Sequence, residues 1–186
     1  MPRHPWMTLC CAGLLVLTVA QASAAGDATP AARMDFVTHN EIVVNAAPDA
    51  IWPYVLRMND WKKGARLVPI GGSPDKVGAK FKAVAGGDAT AFYVENVELV
   101  SQQVRTLRLN ELDGTLIGFA SLRLTPHGRT TLVRYDVYVS MQEPPAVSAY
   151  PPEAQRTNEP GFIAQNRKRF DEELATLKGL AESRQR

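Results

Sequence analysis

Apolar and polar residues alternate with period two through most of 92–141, and then a helical period takes over near the C-terminus. In the last of these alternating runs Val133, Tyr135, Val137, Val139 and Met141 oppose Arg134, Asp136 and Ser140. Four strands are predicted here, over 92–100, 104–110, 115–125 and 130–141. Their turns carry Ser101-Gln102-Gln103, Asp113-Gly114 and Pro126-His127-Gly128-Arg129. The segment 159–183 is predicted as one long helix, with Phe162, Asn166, Phe170, Leu174 and Leu177 along a single face. A sheet with one apolar face and a helix with one apolar stripe bury these against each other. If the sheet curves, a cavity lies between them.

Upstream, 36–45 reads as a strand with Ile42 and Val44 on one face and Glu41 and Val43 on the other. Ala46-Ala47-Pro48-Asp49 opens a helix that Pro53 shortens or kinks, and 59–64 is a second short helical segment. Strands are expected at 66–70 and 77–84, parted by Gly71-Gly72-Ser73-Pro74-Asp75, with Gly86-Gly87-Asp88 at the next reversal. The proline-rich 143–159 is a long connection, either a surface crossover or a binding loop. Thr157 or Asn158 is placed to cap the final helix.

The N-terminus changes the cellular picture. Arg3 and His4 precede the apolar run 9–19, and Ala22-Ser23-Ala24-Ala25 offers small residues for cleavage. Residues 1–25 are therefore expected to be a signal peptide and 26–34 a flexible leader before a single domain over 35–183. The apolar run is short for a membrane anchor, so no stable span is expected after cleavage. Cys10 and Cys11 leave with the signal, so the mature chain has no disulfide, thiol nucleophile or Cys-ligated metal. A periplasmic or secreted location follows as the expectation. The net charge of +2 is made of mixed signs, with no basic stripe of the kind that binds nucleic acid.

The order of strand, two short helices, six antiparallel strands and long helix resembles the helix-grip fold of the START–Bet v 1 (SRPBCC) superfamily. Val44-Asn45-Ala46-Ala47-Pro48-Asp49-Ala50-Ile51-Trp52 is similar to that family's strand-to-helix opening. Asn59-Asp60-Trp61 resembles its second helix, and Val77-Gly78-Ala79-Lys80-Phe81 its glycine-led strand. The hairpin from Leu122 through Pro126-His127-Gly128-Arg129 to Leu132 resembles the polyketide cyclase/dehydrase branch. The resemblance implies an α+β fold, a strongly curved seven-stranded antiparallel sheet wrapped around the C-terminal helix. It also implies apolar or amphipathic ligands held between sheet and helix, in members that include cyclases, hydrolases and dehydratases.

Function then rests on the polar groups aimed inward. Glu95 shares parity with Val97 and Leu99. If that face points inward without a bulge, a carboxylate enters apolar space, where it serves as a general acid or base. The alternative turns Phe92 and Val94 inward and leaves Glu95 in water. Asn166 lies on the helix stripe, as a ligand's hydrogen-bond partner or as an amide bonded to nearby backbone. Tyr135 is a hydroxyl donor or a core aromatic. Lys62 and Lys63 meet anionic headgroups at a cavity mouth or form a solvated helix end. His39 and His127 are too few and too far apart for a zinc site, and neither a Gly-x-Ser-x-Gly turn nor a phosphate-binding glycine loop occurs. No metal, cofactor or catalytic set is expected.

The resulting expectation is an exported, non-catalytic binding protein for a small hydrophobic or lipid-like molecule. Its expected lining residues are Glu95, Val97, Leu99, Leu122, Leu124, Tyr135, Val137, Phe162, Asn166 and Phe170. The alternatives are a cyclase- or hydrolase-like enzyme using Glu95 or Tyr135, and a partner-binding module of the cell envelope that uses the proline-rich segment.

Overall fold

Period-two alternation becomes a sheet with one dry and one wet face. The computed structural model describes residues 33–85, 89–142 and 160–184. The expected signal peptide, the proline-rich connection and the candidate caps Thr157 and Asn158 lie outside the described residues. The strands are β1 (Arg33–Val44), β2 (Arg66–Gly71), β3 (Lys80–Val84), β4 (Thr90–Val100), β5 (Val104–Asn110), β6 (Leu116–His127) and β7 (Thr130–Gln142). Between β1 and β2 lie helix α1 (Pro48–Leu56) and a single 3₁₀ turn, Met58–Asp60. Helix α2 spans Pro160–Ser183.

All seven strands form one antiparallel sheet in the order β1-β7-β6-β5-β4-β3-β2. From β2 to β7 each strand pairs with the next in sequence, so short turns suffice. Gly128, at φ 62°, supplies the left-handed first residue of the two-residue loop between His127 and Thr130. Among the described residues, the α1 segment carries the chain from one sheet edge to the other. Together with α2 over the sheet, this is the helix-grip fold.

The core lies between the sheet's inner face and the helices. Ala120, Leu122, Leu124, Val133, Tyr135 and Val137 are buried from the sheet, and Phe170, Leu174, Leu177 and Ala181 from α2. Each such large apolar side chain contributes about 1.5–3 kcal/mol on burial. Pro53 sits inside α1 without ending it, and Ile51, Tyr54 and Val55 turn into the core around it. The far end of α2 is fastened to β1 by polar groups. Asn45 N–H donates to Glu182 Oε1 at 2.7 Å, and Lys178 Nζ to Val43 O at 2.8 Å.

Two glycines set opposite expectations. A Cβ on Gly118 would lie 2.0 Å from the Tyr138 carbonyl oxygen and 2.9 Å from Val139 Cα, both backbone atoms that cannot step aside. Gly118→Ala is expected to cost about 3 kcal/mol. Gly179, on α2, has nothing within 4 Å of its would-be Cβ. Gly179→Ala should stabilise by about 0.5–1 kcal/mol through helix propensity alone. Urea midpoints of the two variants would move in opposite directions; movement the same way would contradict the packing described.

Candidate functional site: a buried cation network beside a basic cavity

Cross-strand register assembles the interior. One row across the inner face runs Asn40, Tyr135, Leu122, Arg105 and Leu99, contributed by β1, β7, β6, β5 and β4. Directly opposite residues share a face, so two aliphatic side chains here sit among an amide, a phenol and a guanidinium. Asn40 ties the row to α2, its Nδ2 donating to Asp171 Oδ1 at 2.7 Å and to Arg167 O at 3.0 Å.

Lys62 enters this interior from the turn after the 3₁₀ segment. The turn is closed by Lys62 N–H donating to Met58 O at 2.8 Å, and Trp61 Nε1 anchors it by donating to Tyr54 O at 2.9 Å. The Lys62 ammonium donates to Tyr135 Oη at 2.8 Å and to Glu173 Oε2 at 2.9 Å. It also lies 4.5 Å from the Tyr135 ring centre, 5.2 Å from Phe170 and 5.5 Å from Trp61, within cation–π range of each. Tyr135 meets Phe170 edge to face at 5.2 Å. Glu173 is 0% exposed, and its second oxygen accepts from Lys63 N–H at 3.0 Å. Burial alone would lower the Lys62 pKa. Tyr135 and Glu173 outweigh it, and the net shift is upward. This amine is therefore held as an ammonium, unsuited to attack as a neutral nucleophile.

Arg105 is a second buried cation, 1% exposed. Among the described residues it has no carboxylate in salt-bridge range. Instead Nη1 donates to Val55 O at 2.7 Å and Leu56 O at 3.1 Å, and Nε to Asn96 Oδ1 at 3.0 Å. The two carbonyls belong to the last turn of α1, where a helix leaves acceptors unpaired and its dipole favours a cation. Asn96 in turn donates to Pro74 O and Lys76 O in the β2–β3 connection. Burial still pushes the guanidinium pKa down to about 10. Arg105 thus fastens α1, β4 and the β2–β3 connection together.

A cavity of about 280 Å³ opens beside Lys62, lined by Asn59, Lys62, Lys63, Gly64, Ala65, Arg66 and Val84. Asn59 closes a two-way bond with β2, donating to Leu67 O and accepting from Leu67 N–H, both at 2.8 Å. The 62–66 loop is thereby held at both ends.

The expected site residues divide. Leu122, Leu124, Tyr135, Val137, Asn166 and Phe170 all lie in the buried interior. Asn166 Oδ1 accepts from Arg169 Nη2 at 2.8 Å. Glu95 is placed differently. A register shift between Asn96 and Glu98 marks a bulge, and before it Val94 and Asn96 take the inner face. Glu95 is half-buried on the outer face, directly between Arg108 and Lys80, so the inward carboxylate is corrected to a cross-strand charge on the wet side. Val97, at the bulge, is 37% exposed and so is also not an interior residue. Leu99 regains the inner face, opposite Arg105. The side chain of Phe162 lies outside the described residues. His39 is exposed and bonds Asp136 at 2.7 Å.

Arg105, Asn96 and Glu173 were missed. Two of them left a signal: Arg105 shares strand parity with Leu107 and Leu109, and Glu173 lies three residues after Phe170 and four before Leu177. Asn96 depends on the bulge, which nothing in the local pattern announces. Among the described residues no cluster of His, Asp or Glu has the makings of a metal site.

The sequence matches no family model and no curated protein. Solved structures do match. The Zhui aromatase/cyclase from Streptomyces sp. R1128 is 15% identical, covering 82% of this chain and 96% of its own, with a TM-score of 0.59. Truncated norcoclaurine synthase from Thalictrum flavum is 17% identical over 80% of this chain and 94% of its own, with a TM-score of 0.53. The Aha1 dimer from Colwellia psychrerythraea is 14% identical over 77% and 93%, with a TM-score of 0.52. These neighbours are proteins of Bet v 1/SRPBCC type. At such identities the likeness is one of fold.

Proposed function

Starting from a helix-grip scaffold, we propose that this protein is an exported, non-catalytic binding protein for a small hydrophobic or lipid-like molecule. The observation that carries the reading is the cavity beside Lys62, which adjoins an aromatic cluster of Trp61, Tyr135 and Phe170 under α2. Ala65 and Val84 give this cavity its apolar lining, which supplies affinity by desolvation, and fixed polar groups orient the guest. Export is supported by the signal-like N-terminus.

Native mass spectrometry of protein purified from its own periplasm or medium tests both parts. The expected result is a chain lacking about 25 residues, as a signal of this length predicts, carrying a small molecule that organic extraction releases. An intact N-terminus in every fraction would remove export from the proposal. A protein that arrives empty and ignores a panel of apolar probes would remove the binding role.

Tyr135 supports a second, enzymatic reading. Its hydroxyl oxygen accepts a hydrogen bond from the Lys62 ammonium at 2.8 Å, which fixes the phenol in the interior, and the neighbours include an aromatase/cyclase by name. Glu95, on the outer face, takes no part in it. Turnover of an extracted ligand that survives Tyr135→Phe unchanged would end this reading.

A further inference from the structure

We propose that Thr38 and Asn40 form a receptor for one hydroxyl group in the interior, supplied by an ordered water or by the alcohol or phenol of a bound ligand. The ligand source rests on the binding reading above; the water source stands without it.

Alternation along β1 turns Thr38, Asn40, Ile42 and Val44 to the inner face. Ile42 and Val44 join the apolar core, but nearer the N-terminus the same face carries a hydroxyl and an amide. Thr38 is 0% exposed and Asn40 3%. Among the described residues, Thr38 Oγ1 and Asn40 Oδ1 are both buried without a hydrogen-bond partner. A buried polar atom left unmet costs free energy that valine or leucine in its place would not. Two of them, two residues apart on one face, require a partner.

The chemistry of that partner follows from the two side chains. Asn40 Nδ2 donates to Arg167 O at 3.0 Å and to Asp171 Oδ1 at 2.7 Å. Both are acceptors, so the amide cannot be turned over, and Asn40 Oδ1 needs a donor. Thr38 Oγ1 has a proton to give and lone pairs to receive. Residues i and i+2 of a strand lie about 6–7 Å apart at Cα, a gap that one bridging oxygen can close. A hydroxyl fits both ends, donating to Asn40 Oδ1 and accepting from Thr38. A ketone or a carboxylate offers Asn40 no proton. An ammonium could donate to both, but neither atom carries a charge to offset its burial. Across the sheet Thr38 faces Val137 and then Ala120, which supply no competing polar side chain.

Two measurements on the purified protein test this and separate the sources. The first is a high-resolution crystal structure without added ligand. A water source places one ordered oxygen within hydrogen-bond distance of Thr38 Oγ1 and Asn40 Oδ1, retained in Thr38→Ser and lost in Thr38→Val. The second is titration with phenol and with toluene, which differ by a hydroxyl against a methyl group. A ligand source makes phenol bind about tenfold tighter, the worth of roughly one well-made hydrogen bond. That ratio should fall toward one in Thr38→Val, which keeps the shape of the side chain, and persist in Thr38→Ser. Either pattern supports the receptor and names its source. A phenol preference unchanged in Thr38→Val overturns the ligand source. No bridging oxygen together with equal binding of the two probes overturns the receptor while leaving the container intact. If neither probe binds, the ligand source falls with the container and the crystal decides: a bridging oxygen supports the receptor, and its absence overturns it.

Discussion

Replacing Glu173 by leucine lowers the stability of the folded protein by about 3–5 kcal/mol in urea unfolding at neutral pH. The carboxylate is fully buried and holds both Lys62 Nζ and Lys63 N–H. Its removal strands an ammonium among three aromatic rings and orphans a backbone donor. Lys62 keeps 15% of its side chain exposed, which places the effect at the lower end of that range, since partial hydration relieves some of the cost. The double variant Lys62→Met/Glu173→Leu recovers most of the loss, because a well-packed apolar pair is often as stable as the ion pair it replaces. A remainder of about 1 kcal/mol is expected from Lys63 N–H, whose acceptor is gone. A single variant that costs less than about 1 kcal/mol would show a hydrated pair with no bearing on the fold.

The same comparison has a pH signature. Tyr135 and Glu173 hold the Lys62 ammonium above its ordinary 10.5, so the folded chain binds this proton more tightly than the unfolded one. The pair's contribution is therefore full below the unfolded pKa and is lost as pH rises through the folded one. Arg105 acts with the opposite sign nearby. Its guanidinium, pushed down to about 10 by burial, releases its proton more readily when folded, which favours folding as pH climbs further. The Lys62 part is isolated by subtracting the double variant's pH profile from that of the parent. An identical alkaline slope in both would contradict the upward shift.

Arg105→Leu is expected to cost about 3–5 kcal/mol, a large part of the stability of an ordinary domain. Here the penalty comes from acceptors. Val55 O, Leu56 O and Asn96 Oδ1 all lose a donor, in a region too buried for water to replace it freely. Arg105→Lys should rescue little, since an ammonium cannot reproduce a planar fork serving a helix end and an amide at once. Asn96→Leu should be non-additive with Arg105→Leu, because the two side chains belong to one network. Hydrogen exchange adds a local readout: amides of α1 should lose protection before those of β6 and β7. Uniform loss across the sheet, or a cost within about 0.5 kcal/mol, would mean that Arg105 does not fasten α1.

How much of this was legible depends on which residues are asked about. The boundaries of β5 and α2 follow from Val104 to Asn110 and from the stripe through Phe170, Leu174 and Leu177, because each residue's face is decided by its own position in a periodic pattern. The interior placement of Leu122, Leu124, Tyr135 and Val137 came from the same rule. Glu95 and Val97 did not, because one extra residue at the bulge exchanges the faces on its two sides. Lys62 was legible only as one of two residues at a helix end, though a mouth lined by cations was among its readings.

The sequence by itself determined the seven strands, the gripping helix and the side of each strand that turns inward wherever the alternation runs unbroken. These are local properties, set by the period of apolar residues and the turn chemistry between them. Only the tertiary structure decided that Lys62 meets Glu173 across 111 positions and that Arg105 meets the end of α1 across 50. A buried charge is tolerable only where its partners converge, and that convergence is a property of the assembled chain that no window of sequence contains.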